Sequence, residues 1–117
     1  MAATSPGRNS LPANRFLVYA VRLDPAVLQS ARFRAANPDY VDGMDCYYVG
    51  MTSKAPQERL QQHLAGYKAS RYVRHHGVEL MPPSFTVVNP RTYEQACRLE
   101  RRIARRLRRR GHGVWQN

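Results

Sequence analysis

The feature that most restricts how this chain can fold is a carboxylate on an apolar stripe. Residues 92–110 carry the longest helical signal, opened by Asn89-Pro90 or by a capping box from Thr92 to Gln95 and closed by Gly111. At about 100° per residue, Ala96, Ile103 and Leu107 share one apolar face, and Glu100 falls in the middle of it. A core-facing carboxylate is costly unless it is paired, protonated or bound to a cation. Arg98, Arg101, Arg102, Arg105, Arg108 and Arg109 point away from that face, so the helix itself offers Glu100 no easy partner. A buried ion pair with Arg59 and a cation-binding role are the two solutions, and they predict different behaviour with a divalent metal. Glu94 is an ordinary case, an outer-face acid with Arg98 at i+4.

Tyr48-Val49-Gly50-Met51-Thr52, followed by Pro56-Gln57-Glu58-Arg59-Leu60-Gln61-Gln62-His63, predicts a strand, a glycine turn and a short helix ending near Gly66. Gly50 allows either a close approach or a positive φ. On the helix, Leu60 and Leu64 form the expected packing pair, with Arg59 and His63 one turn apart at its margin. In the strand from Cys46 to Gly50, Tyr47 and Tyr48 must face opposite ways. A phenol, a guanidinium and an imidazole converging from adjacent elements suit chemistry on a phosphodiester. Tyr47 then serves only packing.

The remainder predicts one α+β domain over residues 15–117, preceded by a disordered leader at 1–14 rich in Ala, Ser, Pro, Gly and Asn. Residues 16–23 read as a strand with Leu17, Tyr19, Val21 and Leu23 on one face. Asp24-Pro25 and Asn37-Pro38 bracket a helix of about three turns, whose thin apolar face is Val27, Leu28, Ala31 and Ala35, with Arg32 and Arg34 outside it. Asp42-Gly43 then turns the chain, so residues 24–45 form an inserted helical segment. Residues 68–76 predict a short helix or structured loop stopped by Gly77. Residues 78–81 and 84–88, split by Pro82-Pro83, predict a third strand at a sheet edge. His75 and His76 read as a solvated pair, and there is no internal repeat.

Lys and Arg outnumber Asp and Glu by 19 to 8, giving a formal charge of +11 carried almost wholly by arginine. Guanidinium forks match phosphate oxygens, so nucleic acid is the leading partner class. Lys68, Arg71 and Arg74 follow the candidate site directly and are the predicted nucleic-acid contacts, with a steep fall of affinity in salt. No apolar run has the length of a membrane-spanning helix. Cys46 and Cys97 are too few for a disulfide framework or a four-ligand zinc site, and each sits in an apolar run as a small buried side chain. With no signal-peptide pattern, a reducing cytoplasm is the expected location.

These residues resemble the GIY-YIG nuclease superfamily, in its small single-domain bacterial type, from Phe16 to about Leu107. Leu17-Val18-Tyr19 resembles the first half of the name motif, without its glycine, and Tyr48-Val49-Gly50 the second. The segment joining them is longer than a short hairpin loop. Arg59 and His63 match the helix arginine and histidine, and Glu100 the metal-binding glutamate. The resemblance implies a three-stranded antiparallel sheet flanked by helices, and a metal-dependent endonuclease hydrolysing phosphodiester bonds in DNA, on branched, nicked or otherwise irregular structures, with RNA a further possible partner. It also implies roles. Glu100 holds one Mg²⁺ or Mn²⁺, Arg59 clamps a phosphate oxygen, Tyr48 as a phenolate assisted by His63 activates water, and Tyr19 orients water or phosphate. No small-molecule cofactor and no membrane partner is expected. Two other readings use the same basic face: a non-catalytic module binding RNA or DNA, with Glu100 in an ion pair, and a ribosome-associated basic protein.

Overall fold

The computed structural model describes residues 15–86 and 91–116. The expected leader at 1–14, part of the second half of the expected third strand, and Asn89-Pro90 lie outside them. The first strand, β1 (Leu17–Leu23), pairs antiparallel with β2 (Cys46–Thr52), in a register that sets Tyr19 opposite Gly50 and Val21 opposite Tyr48. Both segments are dense in β-branched and aromatic residues, which fit a pleated surface buried on both faces. Between them the expected three-turn helix is broken. A 3₁₀ turn spans Pro25–Gln29, and α1 (Ala31–Ala35) starts afresh because the Ser30 hydroxyl accepts the Phe33 N–H at 3.1 Å. The break moves the apolar face: Val27 and Phe33 are buried, whereas Ala31 and Ala35 are exposed.

Pro56 opens α2 (Pro56–Leu64), α3 (Arg71–His76) follows, and β3 (Gly77–Leu80) pairs antiparallel with the outer side of β1. Pro82-Pro83 does end that edge strand, and among the described residues beyond it Pro83–Thr86 form a helical turn, α4, and not the expected strand. The Thr92 capping box is formed, and α5 (Tyr93–Arg109) runs to the turn at Gly111, where φ is +92°. That turn admits a further strand, β4 (Gly113–Gln116), parallel to β2. The sheet is therefore four-stranded and mixed, in the order β3-β1-β2-β4, and not three-stranded and antiparallel as expected. Val114 and Trp115 are good strand formers; the long-range pairing that recruits them has no local sequence signal.

Two cores sandwich the sheet. On one face Val18, Ala20, Tyr47, Val49 and Val114 pack under Ala96, Leu99, Ile103, Ala104 and Leu107 of α5. On the other Tyr19, Val21, Leu23, Cys46 and Tyr48 meet Val27, Phe33, Leu60, Tyr72 and Val73. Asn37 ties the layers together. Its amide donates to the Phe33 carbonyl at 2.8 Å, while its oxygen accepts from Val114 N–H at 2.8 Å and Arg108 Nε at 3.0 Å. Arg108 also donates to the Val114 carbonyl at 2.8 Å, so it turns inward rather than away, and burial lowers its pKa. Cys46 is buried and Cys97 half-buried, both as free thiols. Among the described residues no helix is long and apolar enough to cross a membrane.

Candidate functional site

The centre of the site is a hydroxyl cluster on the face opposite α5. Tyr19 and Tyr48 share that face, and their ring centroids lie 6.1 Å apart. Gly50 explains how both rings fit. A Cβ at Gly50 would stand 2.8 Å from Tyr48 Cε2, 3.0 Å from Tyr19 Oη and 3.1 Å from Tyr48 Oη. Its φ is not positive, so close approach is the reason for glycine here. His63 completes the cluster, with its ring centroid 5.4 Å from Tyr48 and 6.3 Å from Tyr19. The packing of α2 differs from expectation on this point. His63 is 1% exposed and takes the inward position beside Leu60, while Leu64 is 43% exposed.

The hydrogen bonds fix a direction. Ser70 N–H donates to His63 Nδ1 at 3.0 Å, and a backbone amide can only donate. Burial, reinforced by the positive charge of Arg59, pushes the imidazole down to about 4, so it is neutral at pH 7. The proton of the neutral ring therefore sits on Nε2, which donates to Tyr19 Oη at 2.8 Å. The two phenols also act on one another: Tyr48 raises the pKa of Tyr19, and Tyr19 lowers that of Tyr48. Burial dominates both tyrosines and raises both. Tyr48 is pushed up to about 12, and Tyr19 lies higher still. Tyr48 is thus the first of the two to ionise. His63 enters as a hydrogen-bond donor to Tyr19.

Arg59 and Glu100 impose opposing fields. The Arg59 charge lowers the pKa of Tyr19 and Tyr48, while the Glu100 charge raises both. The Arg59 guanidinium is itself anchored, through Nη1 to Gln62 Oε1 at 3.0 Å and the Tyr67 carbonyl at 3.2 Å, and through Nη2 to the Lys68 carbonyl at 2.7 Å. Glu100 is 4% exposed on the stripe of α5, and burial pushes its carboxyl up to about 7. It makes no salt bridge among the described residues, so the ion pair with Arg59 is not formed. Its Oε2 is buried without a hydrogen-bond partner. An orphaned carboxylate oxygen fits a hard divalent cation whose other ligands are water and phosphate oxygens. Among the described residues no cluster of three ligating side chains offers a fuller protein cage.

Beside the cluster lies a cleft of about 380 Å³. Arg59 and Lys68 line it together with Lys54, Tyr67 and Tyr93, three residues that sequence reasoning had not singled out. Tyr67 beside Lys68 was the available signal. Arg71 and Arg74 are exposed on α3, whose buried side is Tyr72 and Val73, and they do not line the cleft. Tyr47 sits on the opposite face, with its ring centroid 4.9 Å from that of Phe85 and 5.2 Å from that of His112. Glu94 and Arg98 are both exposed and do not pair.

In comparisons with known proteins, the chain matches no family model, no curated protein and no solved structure. The functional reading therefore rests on the chemistry of these side chains.

Proposed function

We propose that this chain is a metal-dependent endonuclease of the GIY-YIG type, hydrolysing phosphodiester bonds in DNA of irregular structure. The observation that carries the reading is Glu100: a buried carboxylate with an orphaned oxygen, whose charge acts, as that of Arg59 does, on Tyr48 and on the Tyr19 that His63 hydrogen-bonds. Mg²⁺ or Mn²⁺ held by Glu100 supplies charge neutralisation of the scissile phosphate and the leaving oxygen. In its ionised form Tyr48 takes the proton of the attacking water. The charge of Arg59 favours that ionised form against burial and the charge of Glu100, and the hydrogen bond from His63 holds Tyr19. Arg59 presents positive charge to the phosphate at the edge of the cleft. Lys68 in the cleft and Arg71 and Arg74 beyond it serve the flanking backbone.

The non-catalytic alternative needs Glu100 as an ion-pair member, and it has no such partner among the described residues. The test is nicking of a panel of branched, nicked and gapped DNAs with Mg²⁺ or Mn²⁺ by wild type, Glu100→Gln and Tyr48→Phe. Wild type is expected to cut at least one member of the panel and the two variants none. Equal cutting by the variants sinks the assignment.

A further inference from the structure

The cleft is roomier than a phosphate group requires. At about 380 Å³ it falls in the range of sites that hold small organic ligands, roughly 300–1,000 Å³. Its cations are Lys54, whose Nζ lies 3.8 Å from Glu58 Oε2, Arg59 and Lys68, and no carboxylate is among the residues that line it. Tyr67 and Tyr93 stand at its wall, 55% and 53% exposed. One exposed tyrosine is ordinary; two on the same cationic cleft, each held in place, are a stacking surface. Arg59 grips the carbonyls of both Tyr67 and Lys68. Lys68 is held at φ 43°, unusual for a residue other than glycine, with Nζ 5.6 Å from the centre of the Tyr67 ring. Tyr93 is braced edge-on against Phe16, with ring centroids 5.5 Å apart.

We infer that this cleft is a subsite for an unpaired nucleobase, stacked on Tyr67 and Tyr93, with Lys54 and Lys68 on the adjoining phosphates. The substrate is then DNA with a single-stranded nucleotide beside the bond that is cut. Adjacency to a cut bond rests on the nuclease reading, whereas the stacking does not. A base in a duplex is already stacked on its neighbours and presents no free π-face; an unpaired base of any identity does. Aromatic walls also suit a quaternary ammonium ligand, but three cations at the same cleft repel it. A carboxylate-rich peptide would satisfy the lysines and leave both tyrosines without a role.

Binding is measured in EDTA by the anisotropy of a labelled oligothymidylate and of a blunt hairpin duplex with the same number of phosphates. Wild type is expected to prefer the oligothymidylate, and Tyr67→Ala or Tyr93→Ala to weaken it by about tenfold without changing the salt slope. Phenylalanine at either position retains the affinity, which separates stacking from misfolding. Lys68→Ala reduces the salt slope instead. Equal affinity for duplex and oligothymidylate, or undiminished binding by both alanine variants, overturns the inference, as does polyglutamate competing as well as DNA. Nicking with Mg²⁺ separates the two proposals. Tyrosine-dependent binding with no nicking of any substrate leaves the subsite standing without the nuclease. Nicking of blunt duplex, indifferent to both tyrosines, does the reverse.

Discussion

Tyr47 and Tyr48 are chain neighbours of the same type, both buried and both with raised pKa values, yet they belong to different parts of the molecule. Tyr47 lies on the α5 face between Phe85 and His112, and its hydroxyl reaches Asp45 at a long 3.4 Å. Tyr48 lies on the other face, with His63 edge-on against its ring, and the charges of Glu100 and Arg59 act on its ionisation with opposite sign. Burial alone accounts for most of the shift in each, so a perturbed pKa does not by itself distinguish a reactive phenol from a packed one. What distinguishes them is the company: a hydrogen-bonded Tyr19–His63 pair, with a cation and an orphaned anion acting on the Tyr48 hydroxyl.

The largest test of that contrast is the pair Tyr48→Phe and Tyr47→Phe. Removing the Tyr48 hydroxyl is expected to lower the nicking rate by about 10²–10⁴, the usual worth of a positioned proton acceptor, while Tyr47→Phe stays within about twofold because only a long hydrogen bond is lost. Comparable losses in both would erase the distinction.

Gly50→Ala comes next. Its Cβ would crowd both hydroxyls while leaving the α5 face untouched, so the rate should fall about 10²-fold with only about 1–3 kcal/mol lost from stability. A thermal melt beside the nicking assay reads both, and unchanged nicking would contradict the crowded geometry.

A smaller effect appears in the pH dependence of stability without metal. The pKa of Glu100 is raised to about 7 on folding, so its contribution is fully present below pH 4.5 and is lost as pH rises through 7. The pKa of His63 is lowered to about 4, so its contribution is present above pH 6.5 and is lost as pH falls through 4. The two oppose each other between these limits. Glu100→Gln removes the first, and the variant should lose about 2 kcal/mol more than wild type between pH 6.5 and 4.5. Parallel profiles from denaturant titrations in EDTA would show that the carboxyl is not perturbed as described.

The smallest is Ser70→Pro. Ser70 has φ −67°, which proline adopts, so the substitution removes chiefly the N–H that pins His63. Loss of that bond, worth about 1 kcal/mol, should cost roughly fivefold in rate, and ¹⁵N spectra of the imidazole should show mixed tautomers. A single unchanged tautomer would mean that the His63–Tyr19 hydrogen bond is oriented by something else.

Much of this arrangement was legible because it follows short periods. The alternation of a strand separates Tyr47 from Tyr48, and the period of a helix puts Glu100 among Ala96, Ile103 and Leu107. The capping box at Thr92 is equally local. What escaped the sequence depends on partners far along the chain or on backbone atoms. The Ser70 amide that orients His63 is a group every residue but proline carries, so nothing in the sequence marks it. Leu64 looked like core and His63 like margin, and tertiary contact with the two tyrosines reversed them. The split at Ser30 came from a side chain competing with its own helix.

The position of β4 has a consequence for how the molecule assembles. β2, the strand that carries Tyr48 and Gly50, pairs with β1 on one side and with Gly113–Gln116 on the other. Until that last described strand is in place, β2 is a sheet edge of apolar and aromatic residues with unpaired amides, the kind of edge that recruits other chains. Folding of β2 is therefore finished by a contact of high sequence separation, which is slow to form. During synthesis the exposed edge persists until the arginine-rich helix and the strand behind it have left the ribosome.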